Sequence, residues 1–262
     1  MKVACIQLST NESIDLNYKK IIYFIEEAIK NKADFIVTPE ASSILTDDKK
    51  ELFHKSYTMF NDPLVKKVQQ ISKKNKKWIL LGSLFIKDKK KLKNRSILIS
   101  SNGSIKEYYD KINMFDVSIS KSEKYNESAI FTAGNKLKYA KLPWGNLGMT
   151  ICYDIRFPEL FRKLSKKKLN FISVPSAFTY FTGKKHWLAL LRARAIENFC
   201  YIFAPNQFGW NTKKRKTYGH TAIISPDGKV LKIKKTGQGV IYAKIEPFLS
   251  LKLRKVIPSL KS

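Results

Sequence analysis

Residues 147–174, LGMTICYDIRFPELFRKLSKKKLNFISV, contain the alternation that decides the fold class. Residues 147–151 form a short apolar run that predicts a strand, and Pro158 begins a segment with the spacing of a helix. Residues 171–174 are again apolar, which predicts a second strand. A strand, a helix and a strand in succession are typical of layered α/β folds.

The same alternation continues on both sides of this stretch. Further strands are predicted over residues 2–8, 34–38, 78–85, 94–100, 104–109, 200–205, 219–225 and 229–245. Further helices are predicted over residues 14–31, 62–74 and 185–198. No repeat, proline-rich stretch or glycine- and serine-rich linker interrupts the pattern, so we expect one domain over residues 1–262.

Composition excludes several classes of protein. The chain has 262 residues and is 44% hydrophobic, which is enough to form a core and argues against wholesale disorder. No apolar run reaches the roughly 18 residues that a membrane-spanning helix needs, and the N-terminus turns polar too early for a signal peptide. Three cysteines are too few for a disulfide framework, so we expect a cytoplasmic protein.

The net charge of +29, from 50 basic and 21 acidic residues, raises the alternative of a nucleic-acid-associated protein. Only seven of the basic residues are arginine, the side chain best suited to base and phosphate recognition. The lysines lie in many separate clusters along the chain. This dispersed pattern favours a solvated lysine surface, and we expect no nucleic-acid partner and no membrane partner.

Three chemically capable residues follow predicted strands, where α/β folds usually place their sites. They are Glu40, Lys111 and Cys152. Taken singly, each has an ordinary interpretation. Glu40 is then a loop cap, Lys111 one of many solvated lysines, and Cys152 a small buried hydrophobe. Together they form a base, a cation and a nucleophile, which is the set that a thiol amidase needs.

A free thiol has a pKa of about 8.5 and needs activation at neutral pH. Glu40 is suited to take the thiol proton, and Lys111 to stabilise the negative charge that develops. Backbone N–H groups at residue 153 and beyond are expected to face the oxyanion. Attack on an amide then gives a thioester, which water hydrolyses with help from the same glutamate. Cys5 and Cys200 lie in or beside apolar strands and are predicted to be core residues.

Five stretches together resemble the nitrilase (carbon–nitrogen hydrolase) superfamily, in the family's order and over nearly the whole chain. They are residues 2–8 (KVACIQL), 33–40 (ADFIVTPE), 109–117 (YDKINMFDV), 148–160 (GMTICYDIRFPEL) and 218–228 (YGHTAIISPDG). The resemblance implies a four-layer αββα sandwich in which Glu40, Lys111 and Cys152 form the catalytic triad. It also implies a further active-site glutamate, which matches Glu127.

The same resemblance implies that the reaction uses no metal and no organic cofactor, and the three histidines lack zinc-site spacing. It implies pairing of two chains, as a homodimer or within a larger homo-oligomer. The helices near the nucleophile, at residues 158–164 and 185–198, are the expected contact. Asn113 and Asp227 depart from the residues that many relatives carry at these positions, histidine and tryptophan respectively.

Residues 152–160 (CYDIRFPEL) and 175–198 resemble the branch that acts on small amides bearing carboxylates, and residues 204–220 resemble its deaminated glutathione amidases more closely. The expected substrate is deaminated glutathione, hydrolysed to 2-oxoglutarate and cysteinylglycine, and the alternative is the ω-amide 2-oxoglutaramate. Arg156 is the candidate carboxylate-binding residue, with a structural ion pair to Glu159 or Asp154 as the equal alternative. Phe178 and Thr182 are candidate pocket residues, against the alternative of a packed loop.

Overall fold

The computed structural model describes residues 1–120 and 123–260, and two six-stranded sheets dominate it. The strands, in chain order, are β1 (Lys2–Gln7), β2 (Phe35–Val37), β3 (Trp78–Asp88), β4 (Lys91–Ile99), β5 (Ile105–Asp110), β6 (Asp116–Ser118), β7 (Lys124–Asn126), β8 (Lys138–Leu142), β9 (Gly145–Met149), β10 (Leu169–Ser173), β11 (Tyr201–Ala204), β12 (Phe208–Trp210), β13 (Lys216–Tyr218), β14 (Thr221–Ile224), β15 (Val230–Lys234) and β16 (Gly239–Lys244).

Six α-helices and one short 3-10 helix connect the strands of the described chain. They are α1 (Ile14–Lys30), α2 (Lys49–Lys55), α3 (Pro63–Asn75), the 3-10 helix (Cys152–Arg156), α4 (Pro158–Ser165), α5 (Tyr180–Asn198) and α6 (Leu249–Val256). Asp62 caps α3 by accepting hydrogen bonds from the N–H groups of Leu64 and Val65, directly before the first-turn proline. None of the helices in the described ranges is long and apolar enough to span a bilayer.

Each large sheet has parallel strands at its centre and antiparallel strands at its sides. The first sheet runs β16-β1-β2-β3-β4-β5, with β1, β2 and β3 parallel. The second runs β15-β14-β11-β10-β9-β8, with β9, β10 and β11 parallel. Because neighbouring parallel strands end at the same edge of a sheet, the loops that follow them gather there.

The two sheets pack face to face, with helices on their outer faces. Phe35 of the first sheet meets Phe203 of the second, with ring centroids 6.0 Å apart, inside a shared apolar core. Helices α1 and α3 cover the first sheet. Their residues Ile21 and Val68 belong to the same apolar cluster as residues of β1, β2 and β3. Trp187 of α5 is fully buried beside the second sheet. The four-layer αββα sandwich is therefore confirmed.

The prediction placed the start of the helix at residues 185–198 too late, and it left residues 229–245 undivided. Helix α5 begins five residues earlier, at Tyr180, although Gly183 lowers helix propensity there. A Cβ at residue 183 would lie 2.5 Å from the Cβ of Tyr218, so tertiary packing explains the glycine. Residues 229–245 form two strands that belong to different sheets, β15 to the second and β16 to the first. Sequence pattern carries no information on which sheet a strand joins.

Candidate active site

The three residues of the predicted triad meet at the edge where the central strands end. Glu40 lies three residues beyond β2, Cys152 three residues beyond β9, and Lys111 directly after β5. All three side chains are buried, with exposed fractions of 3% for Glu40, 2% for Lys111 and 7% for Cys152. A buried lysine requires a paired carboxylate, so this placement already points to a charge cluster.

Lys111 is the centre of that cluster. Its Nζ donates to Oε1 of Glu40 at 3.0 Å and to both carboxylate oxygens of Glu127, at 3.0 and 2.8 Å. The structure thus brings Glu127 to the triad, where the family resemblance had placed it. An ammonium held between two carboxylates keeps its charge and its position without rearrangement.

Glu40 is held by donors from three other parts of the chain. The Nδ2 of Asn94 donates to its Oε1 at 2.9 Å, and the backbone N–H of Ala177 donates to its Oε2 at 2.8 Å. The Nε2 of Gln207 donates to the backbone carbonyl of Glu40 at 2.9 Å. These contacts fix the carboxylate in one orientation, which a general base needs for repeated proton transfer.

Glu127 shares its partners with Glu40. Asn94 also donates to Oε1 of Glu127 at 3.1 Å, and the backbone N–H of Phe115 donates to its Oε2 at 2.7 Å. The Asn94 side chain therefore bridges the two carboxylates, as Lys111 also does. The two glutamates and Lys111 behave as one hydrogen-bonded unit.

Cys152 lies at the turn between β9 and the 3-10 helix, with a backbone φ of +47°. Non-glycine residues rarely adopt this left-handed conformation, and those that do are concentrated at functional sites. The N–H of Cys152 donates to the carbonyl of Pro175 at 2.9 Å. Tyr153 follows Cys152 directly and lines the same cavity, so its N–H is the candidate oxyanion donor.

The pKa shifts follow from this packing. Burial raises the pKa of Glu40, but the charges of Lys111 and Arg215 outweigh it and hold the pKa below its usual range. Burial lowers the pKa of Lys111, yet Glu127 and Glu40 raise it well above its ordinary value. Burial and the neighbouring Glu40 raise the pKa of the Cys152 thiol, with Lys111 opposing. These directions favour an ionised carboxylate beside a protonated thiol, which is the arrangement that the predicted base and nucleophile require.

Asp154 connects, through hydrogen bonds, the turn that carries Cys152 to the loop that carries Lys111. It is fully buried and accepts four hydrogen bonds, from Tyr109 Oη at 2.7 Å, Ile151 N at 2.9 Å, Asn113 N at 3.0 Å and Asn113 Nδ2 at 2.9 Å. Ile151 precedes the nucleophile, and Asn113 follows Lys111 by two residues. Burial raises the pKa of Asp154, and the donors around it act in the opposite direction. Sequence reasoning gave this carboxylate no role at the site.

Substitution of Asp154 by asparagine is expected to lower kcat by about 10- to 100-fold with little change in KM, because it misplaces Cys152, the predicted nucleophile, without touching substrate. The new amide NH₂ would face donors, and the lost acceptor should cost about 1–3 kcal/mol of unfolding free energy. Steady-state kinetics and chemical denaturation measure both effects. The matched control is D88N at an exposed position. An unchanged kcat in D154N would limit the residue to a structural role.

A cavity of about 370 Å³ opens directly on the cluster. Glu40, Lys111, Glu127 and Cys152 form one part of its wall, together with Phe178 and Thr182. The remaining walls combine polar and charged residues with aromatic and aliphatic ones, the latter including Leu45, Leu52, Phe85, Phe115, Tyr125, Ile130, Phe131 and Tyr153. A cavity with apolar walls and convergent polar groups is typical of a small-molecule site.

Arg156 is the predicted site residue that the described structure does not place on this cavity wall. Its guanidinium lies over the Phe178 ring at 5.2 Å and contacts the Nδ1 of His186 at 3.3 Å. No ion pair joins it to Glu159 or Asp154 in the described part of the chain, so the structural ion pair, the alternative interpretation, is not formed there. Its role as a carboxylate-binding residue stays a prediction.

Besides Asp154, two residues of the site escaped sequence reasoning. Asn94 bridges the two glutamates, but an asparagine within a strand carries no local mark of this role. Arg215 lines the cavity and lies in the run Lys213–Lys216, where it is the single arginine among lysines. In a chain with only seven arginines, that position was the available signal.

Comparison with known proteins gives the family directly. The model of the family described as carbon-nitrogen hydrolase matches residues 2–250. A deaminated glutathione amidase of Synechocystis sp. is 35% identical over 98% of this chain and 96% of its own length. Another protein of the same name, from Dictyostelium discoideum, is 38% identical over 85% of this chain and 79% of its own length.

Solved structures agree with the fold. The NitFhit protein of C. elegans has a TM-score of 0.92 and 31% identity over 99% of this chain, which spans only 64% of that longer protein. The Nit3 protein of Saccharomyces cerevisiae, described as a member of branch 10 of the nitrilase superfamily, has a TM-score of 0.87 and 26% identity, covering 98% of this chain and 94% of Nit3. By full-length sequence similarity and by fold, the chain belongs to the carbon–nitrogen hydrolase family of the nitrilase superfamily, and it is an amidase.

Proposed function

We propose that this amidase hydrolyses deaminated glutathione through a thioester on Cys152. The observation that carries the chemistry is the position of the Lys111 ammonium, 3.0 Å from Glu40 and 2.8 Å from Glu127, in the wall that also contains Cys152. This set supplies a base, a fixed cation and a nucleophile around one cavity. It is complete without any further reacting group from the protein.

In the acylation half-reaction, Glu40 takes the proton of the Cys152 thiol as Sγ attacks the amide carbon. The C=O π electrons move to oxygen, and the oxyanion is stabilised by Nζ of Lys111 and by the N–H of Tyr153. When the tetrahedral intermediate collapses, the C–N bond breaks and Glu40 returns its proton to the departing amine. The product of this half-reaction is a Cys152 thioester and a free amine.

In the second half-reaction, water attacks the thioester carbon while Glu40 takes one of its protons. The same two donors stabilise the second oxyanion. Its collapse breaks the C–S bond, releases the carboxylic acid, and returns the proton from Glu40 to the sulfur. Glu127 holds Lys111 in place through both steps by its paired contacts.

The choice of substrate is supported by two observations. Relatives that match nearly the whole chain bear the name deaminated glutathione amidase. Among the described residues that line the cavity, five are basic and four are acidic. Of these, Lys111 is already paired with Glu40 and Glu127. The other cations of the wall, Lys49, Lys124, Lys214 and Arg215, outnumber the other acids, Asp47 and Glu123, and this balance suits an anionic substrate.

A direct comparison of substrates tests the proposal. We expect the purified protein to hydrolyse deaminated glutathione with a kcat/KM at least about tenfold above that for 2-oxoglutaramate, because specific pocket contacts of this kind are worth one or more factors of ten. Release of cysteinylglycine and of ammonia are the two readouts. The reverse preference would identify an ω-amidase instead, and no turnover of either compound would refute the proposed function.

We also propose a cytoplasmic location, since all three cysteines are free thiols and two of them lie in the core away from the site. Pairing of two chains through α4 and α5 stays a prediction. Phe181 and Ile196 of α5 are about half exposed, at 52% and 45%, which is compatible with such a contact.

A further inference from the structure

We propose that Arg215 binds a carboxylate of the substrate and thereby selects anionic amides over neutral ones. This inference rests on the proposed amidase site and identifies the residue that reads substrate charge there. Arg156, whose guanidinium lies 5.2 Å from the Phe178 ring, stays a separate predicted carboxylate partner. Arg215 carries the proposal because it lines the cavity and pairs with no carboxylate in the described part of the chain.

The guanidinium of Arg215 is held in place on two sides. Its Nη2 donates to the carbonyl of Ala177 at 2.9 Å, and its plane lies over the Tyr125 ring at 5.3 Å. Its Nε is buried, yet within residues 1–120 and 123–260 it has no hydrogen-bond acceptor. A buried donor on a charged group is costly to leave unpaired, and a carboxylate is the acceptor that the planar fork fits best.

The backbone that carries Arg215 is itself ordered by hydrogen bonds. The turn between β12 and β13 is closed by the N–H of Asn211, which donates to the carbonyl of Arg215 at 2.9 Å. The hydroxyl of Thr212 accepts from the N–H of Arg215 at 3.0 Å. Asn211 is in turn fixed by its Nδ2, which donates to the carbonyl of Thr10 at 2.9 Å. The guanidinium is therefore positioned before substrate arrives, which reduces the entropy lost on binding.

Electrostatics place Arg215 close to the reacting groups. Its charge is one of the causes that hold the pKa of Glu40 below its usual range. Lys111 is already paired with two carboxylates, whereas no ion pair occupies Arg215 in the described part of the chain. Arg215 is thus an arginine of the described cavity wall whose charge no protein carboxylate neutralises in an ion pair.

Matched pairs of substrates separate charge recognition from general damage. Glutaramate and glutardiamide differ by a carboxylate against an amide at the acyl end. Deaminated glutathione and its glycinamide derivative differ in the same way at the end of the leaving amine. Each pair keeps the scissile bond and the chain length and changes the charge. The rate for glutardiamide is divided between its two equivalent amides, and release of cysteinylglycinamide reports the original scissile bond of the glycinamide derivative.

We expect R215Q to lower kcat/KM about 10- to 100-fold, mainly through KM, for the charged member of one pair, as expected for losing a hydrogen bond to a charged group. The neutral member of that pair should change by less than about threefold. The pair that responds identifies which carboxylate is bound. R215K should be intermediate, because it keeps the charge but loses the fork. The exposed variant K213A is the control and should match wild type for all four compounds.

An equal loss for charged and neutral members in both pairs would overturn the inference and leave Arg215 as a support for Ala177 and Tyr125. That result is distinct from failure of the proposed function, in which the wild-type protein itself would hydrolyse none of the four amides. A wild-type protein that hydrolyses charged and neutral members equally well would also overturn the inference. Thermal denaturation of R215Q and K213A checks that both variants are folded.

Discussion

Substitution of Cys152 by alanine is expected to abolish amide hydrolysis, with kcat lowered by roughly 10⁴-fold or more, as for removal of other catalytic nucleophiles. The reason is that Sγ is the atom that forms the thioester, and no other thiol lines the described cavity wall. The fold should survive, since alanine tolerates the φ of +47° at residue 152 no worse than cysteine does. Initial rates and intact mass after mixing with substrate measure the effect.

The matched control for C152A is C200A. Cys200 is a buried free thiol whose sulfur contacts Arg254 rather than the cavity. We expect C200A to keep kcat within about threefold of wild type, because it is distant from the chemistry. Wild type and C200A should acquire the acyl mass on one cysteine, and C152A should not. Full activity in C152A, or an adduct that persists in it, would contradict the mechanism.

Substitution of Lys111 by methionine is expected to produce the largest combined loss of activity and stability. It removes an oxyanion donor, which costs about 10²–10³-fold in kcat. It also leaves Glu40 and Glu127 buried side by side, with only Asn94 between them. Breaking a buried ion pair by removing one partner costs about 3–5 kcal/mol of unfolding free energy. Kinetics and denaturant unfolding of the same preparation measure both losses.

The dependence of the unfolding free energy on pH gives a second readout for K111M. The expected pKa shift of the carboxylates on folding has opposite signs in the variant and in wild type. In wild type the pKa of Glu40 is lowered on folding, so its stabilising contribution is present above the unfolded pKa and is lost as pH falls through the folded value. Without Lys111, the two adjacent carboxylates should share a proton, and the pKa of the pair should rise on folding. The loss of stability in K111M should therefore be larger at pH 8 than at pH 5.5.

The exposed substitution K232M is the control for K111M and should change the unfolding free energy by less than about 0.5 kcal/mol. If K111M lost activity but unfolded like K232M at both pH values, Lys111 would not be holding the two carboxylates together. If it retained activity, the assignment of Lys111 as the oxyanion donor would be wrong. The two results are independent of each other.

The strands and helices that build the site were largely predictable because each has a local signature. Residues 147–174 alternate between strand and helix patterns, and Asp62 with Pro63 marks the start of α3. The same logic located Glu40, Lys111 and Cys152 at strand ends. Lys111 could be separated from the other lysines of a chain with a net charge of +29 only through its place after β5 and the family resemblance.

The layered α/β class, the carbon–nitrogen hydrolase resemblance and the candidate triad could be inferred from the amino-acid order, because hydrophobic period and strand-end position are local properties. The groups that hold the triad depend on tertiary packing. Asn94, Asp154 and Arg215 act through contacts that cross between sheets and loops distant in the chain, such as Asn94 to Glu127 and Arg215 to Ala177. Their chemistry depends on burial and on partners, and neither property exists until the two sheets pack together.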